Sequence, residues 1–78
     1  MRLEILTPEK KLFDSEVLSV QVPGKSGIFE MLNNHMPIVS SLKKGVIKIT
    51  DTENKKQELK ITSGVIEMKK NKIIILAE

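Results

Sequence analysis

Few side chains in this sequence are equipped for chemistry. His35 is the only histidine in 78 residues, and cysteine is absent. No Cys–His pair can form, and no Ser or Asp stands at a recognisable nucleophile spacing from it. A metal site needs three or four suitable ligands, which one histidine among scattered carboxylates does not supply. His35 therefore reads as a loop residue that hydrogen-bonds backbone ahead of Pro37, or as an interface residue. No catalytic residue, metal or cofactor is expected in this chain.

The lysines suggest two other chemistries. Lys10-Lys11, Lys43-Lys44, Lys55-Lys56 and Lys69-Lys70 fall in turn-like stretches, so the alternative to weigh is a small basic β-barrel that binds single-stranded nucleic acid. Such platforms stack bases on aromatic faces, worth about 1–3 kcal/mol per base. The only aromatics here are Phe13 and Phe29, both inside apolar runs where they fill a core. Thirteen basic residues against ten acidic ones, interleaved, leave a net charge of +3, too even for a dedicated polyanion binder. The lysines read as solvated tips that discourage edge-to-edge association. Glu67-Met68-Lys69-Lys70 partly resembles the hairpin on which small carrier domains bear biotin or lipoate. Methionine flanks the lysine on one side only, so a polar turn is the simpler reading.

The elements that position these residues alternate with period two. Leu3 and Ile5 alternate with Arg2 and Glu4 up to Pro8, and Leu12-Phe13 turns back inward. In Glu16–Val22 the alternation places Leu18, Val20 and Val22 on one face and Ser19 and Gln21 on the other, with Val17 interrupting the polar side. Pro23-Gly24 predicts a tight turn, and Asn33-Asn34 a second one, because Asn tolerates the left-handed region. Between them Phe29 and Met31 face opposite to Ile28, Glu30 and Leu32. A short strand over 38–42 follows. Ile47 and Ile49 then pair across a Glu53–Lys56 tip with Leu59 and Ile61. Gly64 marks a bulge or bend, and Ile66 and Met68 precede a last hairpin tip at Lys70-Asn71. The run Ile73-Ile74-Ile75-Leu76 has no period and reads as a strand covered on both sides. Residues 1–78 are expected to form a single all-β domain, a small antiparallel β-sandwich or flattened barrel of about 8–10 short strands.

Two exclusions and one surplus bear on function. No apolar run approaches the ~18–20 residues of a membrane span, and the N-terminus lacks a signal-peptide core, so direct membrane insertion is not expected. Val17, Ile28, Leu32, Met36 and Val65 fall on faces that the alternation assigns outward. Apolar groups clustered on so small a body imply a protein partner.

The stretch from Val22 to Pro37 carries a resemblance that spans nearly the whole chain in order. Leu3-Glu4-Ile5-Leu6-Thr7-Pro8-Glu9, Val20-Gln21-Val22-Pro23-Gly24, Asn34-His35-Met36-Pro37-Ile38-Val39, Leu42-Lys43-Lys44-Gly45, Ser63-Gly64-Val65-Ile66-Glu67-Met68 and Ile75-Leu76-Ala77-Glu78 are similar to the successive motifs of one family. That family is the N-terminal β-sandwich of the epsilon subunit of the F-type ATP synthase. The loop departs from the family pattern, with Glu30, Asn33 and Asn34 where Gly, Pro and Gly are common and Ile28 where an acid often stands. Val65 replaces the second Gly of a Ser-Gly-Gly motif.

The resemblance implies a non-catalytic rotor subunit that couples proton-driven rotation to ATP synthesis. It would bind the gamma subunit and the polar loops of the membrane rotor ring, at the cytoplasmic face of the bacterial inner membrane. It assigns Gly24, Lys25, Ser26, Gly27, Ile28, Glu30, Asn33, Asn34, His35, Met36 and Pro37 to one ring-facing edge, and one sheet face near the C-terminal strand to gamma. Many relatives continue into a two-helix hairpin, so a chain ending at Glu78 would be a short form without inhibitory helices. It implies no cofactor and no nucleic acid.

Overall fold

Alternating aliphatic and polar residues, broken by Pro, Gly and Asn, produce strands throughout. The computed structural model describes residues 1–78 and contains β1 (Arg2–Leu6), β2 (Lys11–Gly24), β3 (Gly27–Leu32), β4 (Ile38–Leu42), β5 (Gly45–Asp51), β6 (Lys56–Ile61), β7 (Gly64–Lys69) and β8 (Lys72–Ala77). The ladder is continuous but folds into two layers that share β2. The C-terminal half of β2 lies between β3 and β5, with β6 outside β5. Its N-terminal half pairs with β1, and β8, β7 and β4 follow in that order. A single bridge, Gly24 to Leu42, brings β4 back to β2. The inward residues of both layers merge into one cluster that includes Leu3, Ile5, Val20, Met31, Ile47, Ile66, Met68 and Ile75. Aliphatic burial of this kind is worth about 25 cal/mol per Å² and is the main term holding so small a body together.

The sandwich is all β as expected, with one pairing outside the antiparallel scheme: β1 runs parallel to β8. A β-bulge corrects the phase of β2. The register slips between Val17 and Ser19, so one residue is inserted and the alternation inverts. Val17 is therefore buried and Leu18 exposed, the reverse of the sequence reading, while Val20 and Val22 stay inside. Leu12 is exposed too, because it is the extra residue at a second register shift, where Ile5 pairs with Phe13 and Leu6 with Lys11. Pro23-Gly24 is the end of β2 rather than a turn; the reversal falls at Lys25-Ser26, with Gly24 opposite Gly27. The run Ile73–Leu76 is covered on one face only. Ile73 and Ile75 are buried, Ile74 half-buried and Leu76 54% exposed. Its unbroken hydrophobicity reflects an apolar outer surface, not a second covering layer.

Turn chemistry holds at the β7–β8 and β5–β6 tips, although Lys56 belongs to β6 rather than to the tip. Lys70 and Asn71 have φ of 52° and 60°, the two positive angles of a type I′ hairpin whose twist matches the strands. Asp51 Oδ1 accepts from the backbone N–H groups of Glu53 and Lys55, both at 2.9 Å, closing the β5–β6 tip around Asn54 (φ 65°). Gly64 is fixed by close approach, since a Cβ there would lie 2.6 Å from the carbonyl oxygen of Leu76. Gly64→Ala is expected to push β7 off β8 and cost about 1–3 kcal/mol, read as a lower denaturant midpoint. An unchanged midpoint would show that the strands yield freely at this point.

Candidate protein-interaction surface

The two stretches expected to share one contact edge stand at opposite ends of β3. The Gly24–Gly27 turn closes one end, where a Cβ on Gly24 would meet the Phe29 ring at 2.6 Å and Gly27 takes φ 138°. The Asn33–Pro37 loop leaves the other end. Five residues of extended chain, 28–32, separate them, roughly 17 Å at 3.4 Å per residue. What joins them is β3 itself, an edge strand paired only with β2. Its outward face carries Ile28, Glu30 and Leu32, with Ile28 70% and Leu32 55% exposed. The structure thus brings the expected residues together as a strip along an edge, not as a cluster at one end.

Each end of the strip is braced from behind. Lys25 N–H donates to the Ser41 carbonyl at 3.1 Å and Lys43 N–H to the Pro23 carbonyl at 2.9 Å, tying the β2–β3 turn to β4. At the far end His35 N–H donates to Leu32 carbonyl at 3.1 Å, and Asn34 takes φ 64°. Asn71, from the β7–β8 tip, accepts from Asn34 N–H at 2.8 Å and donates to Asn33 Oδ1 at 2.9 Å. Asn33 Oδ1 also accepts from the Met1 amino group at 3.2 Å. The paired asparagines are structural, locking a loop from one layer to a turn of the other. His35 Nδ1 lies 2.8 Å from the Met36 carbonyl; a carbonyl only accepts, so this nitrogen carries the ring proton. The histidine is exposed to solvent. Asn71→Gly keeps the positive φ and deletes the clamp. It is expected to speed hydrogen exchange at the Asn34 amide several-fold while the core amides hold, and equal exchange in both proteins would show that the loop is held otherwise.

Phe13 and Phe29 are partly buried and pack against the core. Charge is organised instead on the outer face of the β1–β8 layer. Glu4, 16% exposed at its side chain, lies 2.9 Å from Lys72 Nζ and 3.3 Å from Lys11 Nζ. Lys11 also reaches Asp14 at 3.0 Å, and Asp14 pairs with Arg2. The hydrogen bonds from Lys72 and then Lys11 hold the Glu4 carboxyl below its ordinary 4.5. Those from Lys11 and then Arg2 hold Asp14 below 3.8. Asp14 and Glu4 in turn raise Lys11 above 10.5.

Depressed carboxylates stabilise the fold above their ordinary values, and the effect fades as pH falls through the lower folded values. The raised lysine stabilises below 10.5 and loses its effect as pH rises through the higher folded value. Glu4→Gln is accordingly expected to lower Tm at pH 7, and the difference from the parent is expected to shrink as pH falls through the depressed folded value of Glu4. A Tm difference that persisted undiminished in acid would remove the ion pairs as its cause.

Residues 1–78 match the model of the ATP synthase delta/epsilon chain β-sandwich domain. The chain belongs to this family. The ATP synthase epsilon chain of Chlorobium limicola is 35% identical over 77 residues, covering 99% of this chain and 88% of that one. That of Campylobacter concisus is 38% identical over 78 residues, covering 100% and 60% respectively. Family members therefore extend beyond the matched region to different degrees. A chain of the Euglena gracilis mitochondrial ATP synthase, solved with the c-ring, superposes with a TM-score of 0.90 at 18% identity, covering 96% of this chain and 48% of that one. A chain from the Tetrahymena thermophila central stalk and c-ring gives 0.80 at 19% identity, with 99% and 62% covered. At such identities the likeness establishes the family fold. Sequence reasoning missed the exposure of Val39, Leu18 and Leu76, which strand register and one bulge decide.

Proposed function

We propose that residues 1–78 form the single β-sandwich domain of a central-stalk subunit of the ATP synthase, one that binds the gamma subunit and rests on the polar loops of the membrane rotor ring. The observation that carries this reading is the family match over the whole chain. The subunit works mechanically. Torque between the ring and the stalk passes through a body made rigid by a shared aliphatic core, and proton flow is coupled to ATP synthesis without chemistry in this chain. Its place is peripheral, on the cytoplasmic face of a bacterial inner membrane.

The ring-facing part is the β3 strip, Ile28, Glu30 and Leu32, with the turn Gly24–Gly27 and the loop Asn33–Pro37 at its two ends. Exposed Ile28, Leu32 and Met36 supply apolar contacts that water disfavours, and Glu30 is the one charge on the strand. An edge strand with so little charge to guard it is suited to being covered in an assembly.

Removing this protein from the assembled synthase is expected to abolish ATP-driven proton pumping while ATP hydrolysis persists. The double variant Leu32→Asp, Glu30→Lys is expected to reduce pumping several-fold with the fold intact by circular dichroism. Full pumping by vesicles that lack the protein would overturn the assignment.

A further inference from the structure

The outer face of β4, β7, β8 and β1 is graded in polarity. Register places Ser41, Val65, Leu76 and Leu6 in one row across the four strands. The neighbouring row, toward the β7–β8 tip, reads Val39, Glu67, Ile74 and Glu4. On the other side of the apolar row the chain supplies cations instead. Lys43 and Lys44 follow the end of β4, and Lys25 is held beside that end because its N–H donates to the Ser41 carbonyl at 3.1 Å. Carboxylates therefore lie on one side of the apolar row and ammonium groups on the other.

The apolar row and its basic side line a groove of about 860 Å³. Val65, Leu76 and Leu6 form its aliphatic floor, and Leu76 is 54% exposed there. Lys25, Lys43 and Lys44 stand on its rim. None of the three makes a salt bridge, and Glu78, the one acid in the lining, pairs with none of them. Ser41 and Ser63 add hydroxyl donors beside the lysines. Exposed aliphatic carbon next to free positive charge is complementary to a ligand that carries both characters.

This pairing selects among ligands. An inorganic anion would meet the lysines and leave Val65 and Leu76 in water. A neutral lipid would cover the floor and leave three cations unmatched. A nucleotide gains from an aromatic ring under its base, whereas this floor is aliphatic. A methylene chain ending in a carboxylate or phosphate satisfies both halves. The volume falls within the about 300–1,000 Å³ of small-molecule sites, which suits one chain with its head.

We propose that this groove binds a single-chain anionic amphiphile of the fatty-acid class, with its head against Lys25, Lys43 and Lys44 and its chain over Val65 and Leu76 toward Leu6. Glu67 in the neighbouring row sets the direction, since it repels the head from the far side of the floor. Affinity rises with chain length, because each methylene laid on the floor is withdrawn from water.

The test titrates the full chain with dodecyl phosphate below its micelle concentration and follows backbone amide shifts by NMR. Saturable shifts are expected at Ser41, Val65 and Leu76, and octyl phosphate is expected to bind at least about tenfold more weakly. Lys43→Glu with Lys44→Glu, and independently Leu76→Asp, are each expected to weaken binding at least about tenfold. Ile28→Asp on the β3 strip is expected to stay within about twofold of the parent, and Tm verifies the fold of every variant. Equal affinity for inorganic phosphate, or for dodecyltrimethylammonium, would overturn the proposal, since the groove would then read the head alone or the chain alone. Adsorption to vesicles of acidic phospholipid without saturable binding of monomeric dodecyl phosphate would also overturn it, as would binding that Leu76→Asp leaves unchanged.

Discussion

The structure depends on one strand that belongs to two sheets. β2 is 14 residues long, well beyond the usual 5–6. Its first half hydrogen-bonds to the β1 layer and its second half to the β3–β5 layer. Such a strand must turn a corner, and the bulge at Leu18 supplies the bend by adding one residue where the partner has none. Because the bulge also inverts the alternation, Val17 before it and Val20 after it both reach the same core. Without the inversion one half of β2 would bury its polar side, and the two layers would have no common interior.

This also shows where sequence patterning was sufficient. Ile47 and Ile49, Ile66 and Met68, and Phe29 and Met31 face inward as period two requires, because those strands are short and unbroken. The all-β class, the Lys70-Asn71 hairpin and the Asn33-Asn34 turn follow from residue types whose backbone preferences are local. Val17 and Leu18 were misplaced for a non-local reason. A bulge is set by what two neighbouring strands need, and nothing in the β2 sequence announces it. The run Ile73–Leu76 misled for another reason, since hydrophobicity records that a side chain avoids water but not whether its cover is this chain or another.

The exposed apolar surface was half legible. Composition showed more apolar side chains than a body of this size can bury, and Ile28, Leu32, Met36 and Val65 were assigned outward by alternation alone. Their grouping was not legible. Two stretches close in sequence stand at opposite ends of β3, whereas Val39 and Ile74, distant in sequence, lie in one row because the register puts Glu67 between them. Which exposed side chains become neighbours is decided by pairing, and pairing is a property of the whole sheet.

The parallel ladder between β1 and β8 has a consequence for how the protein is made. Five residue pairs, from Arg2–Lys72 to Leu6–Leu76, join the first strand to the last. During synthesis β1 emerges early, and its β8 partner only after some seventy residues have been added. One edge of β1, and the part of the core that β8 covers through Ile73 and Ile75, stay open until then. Closing a sheet between distant segments carries a large entropy cost before any contact repays it. The β1–β8 ladder therefore cannot close until the segment that forms β8 has been made.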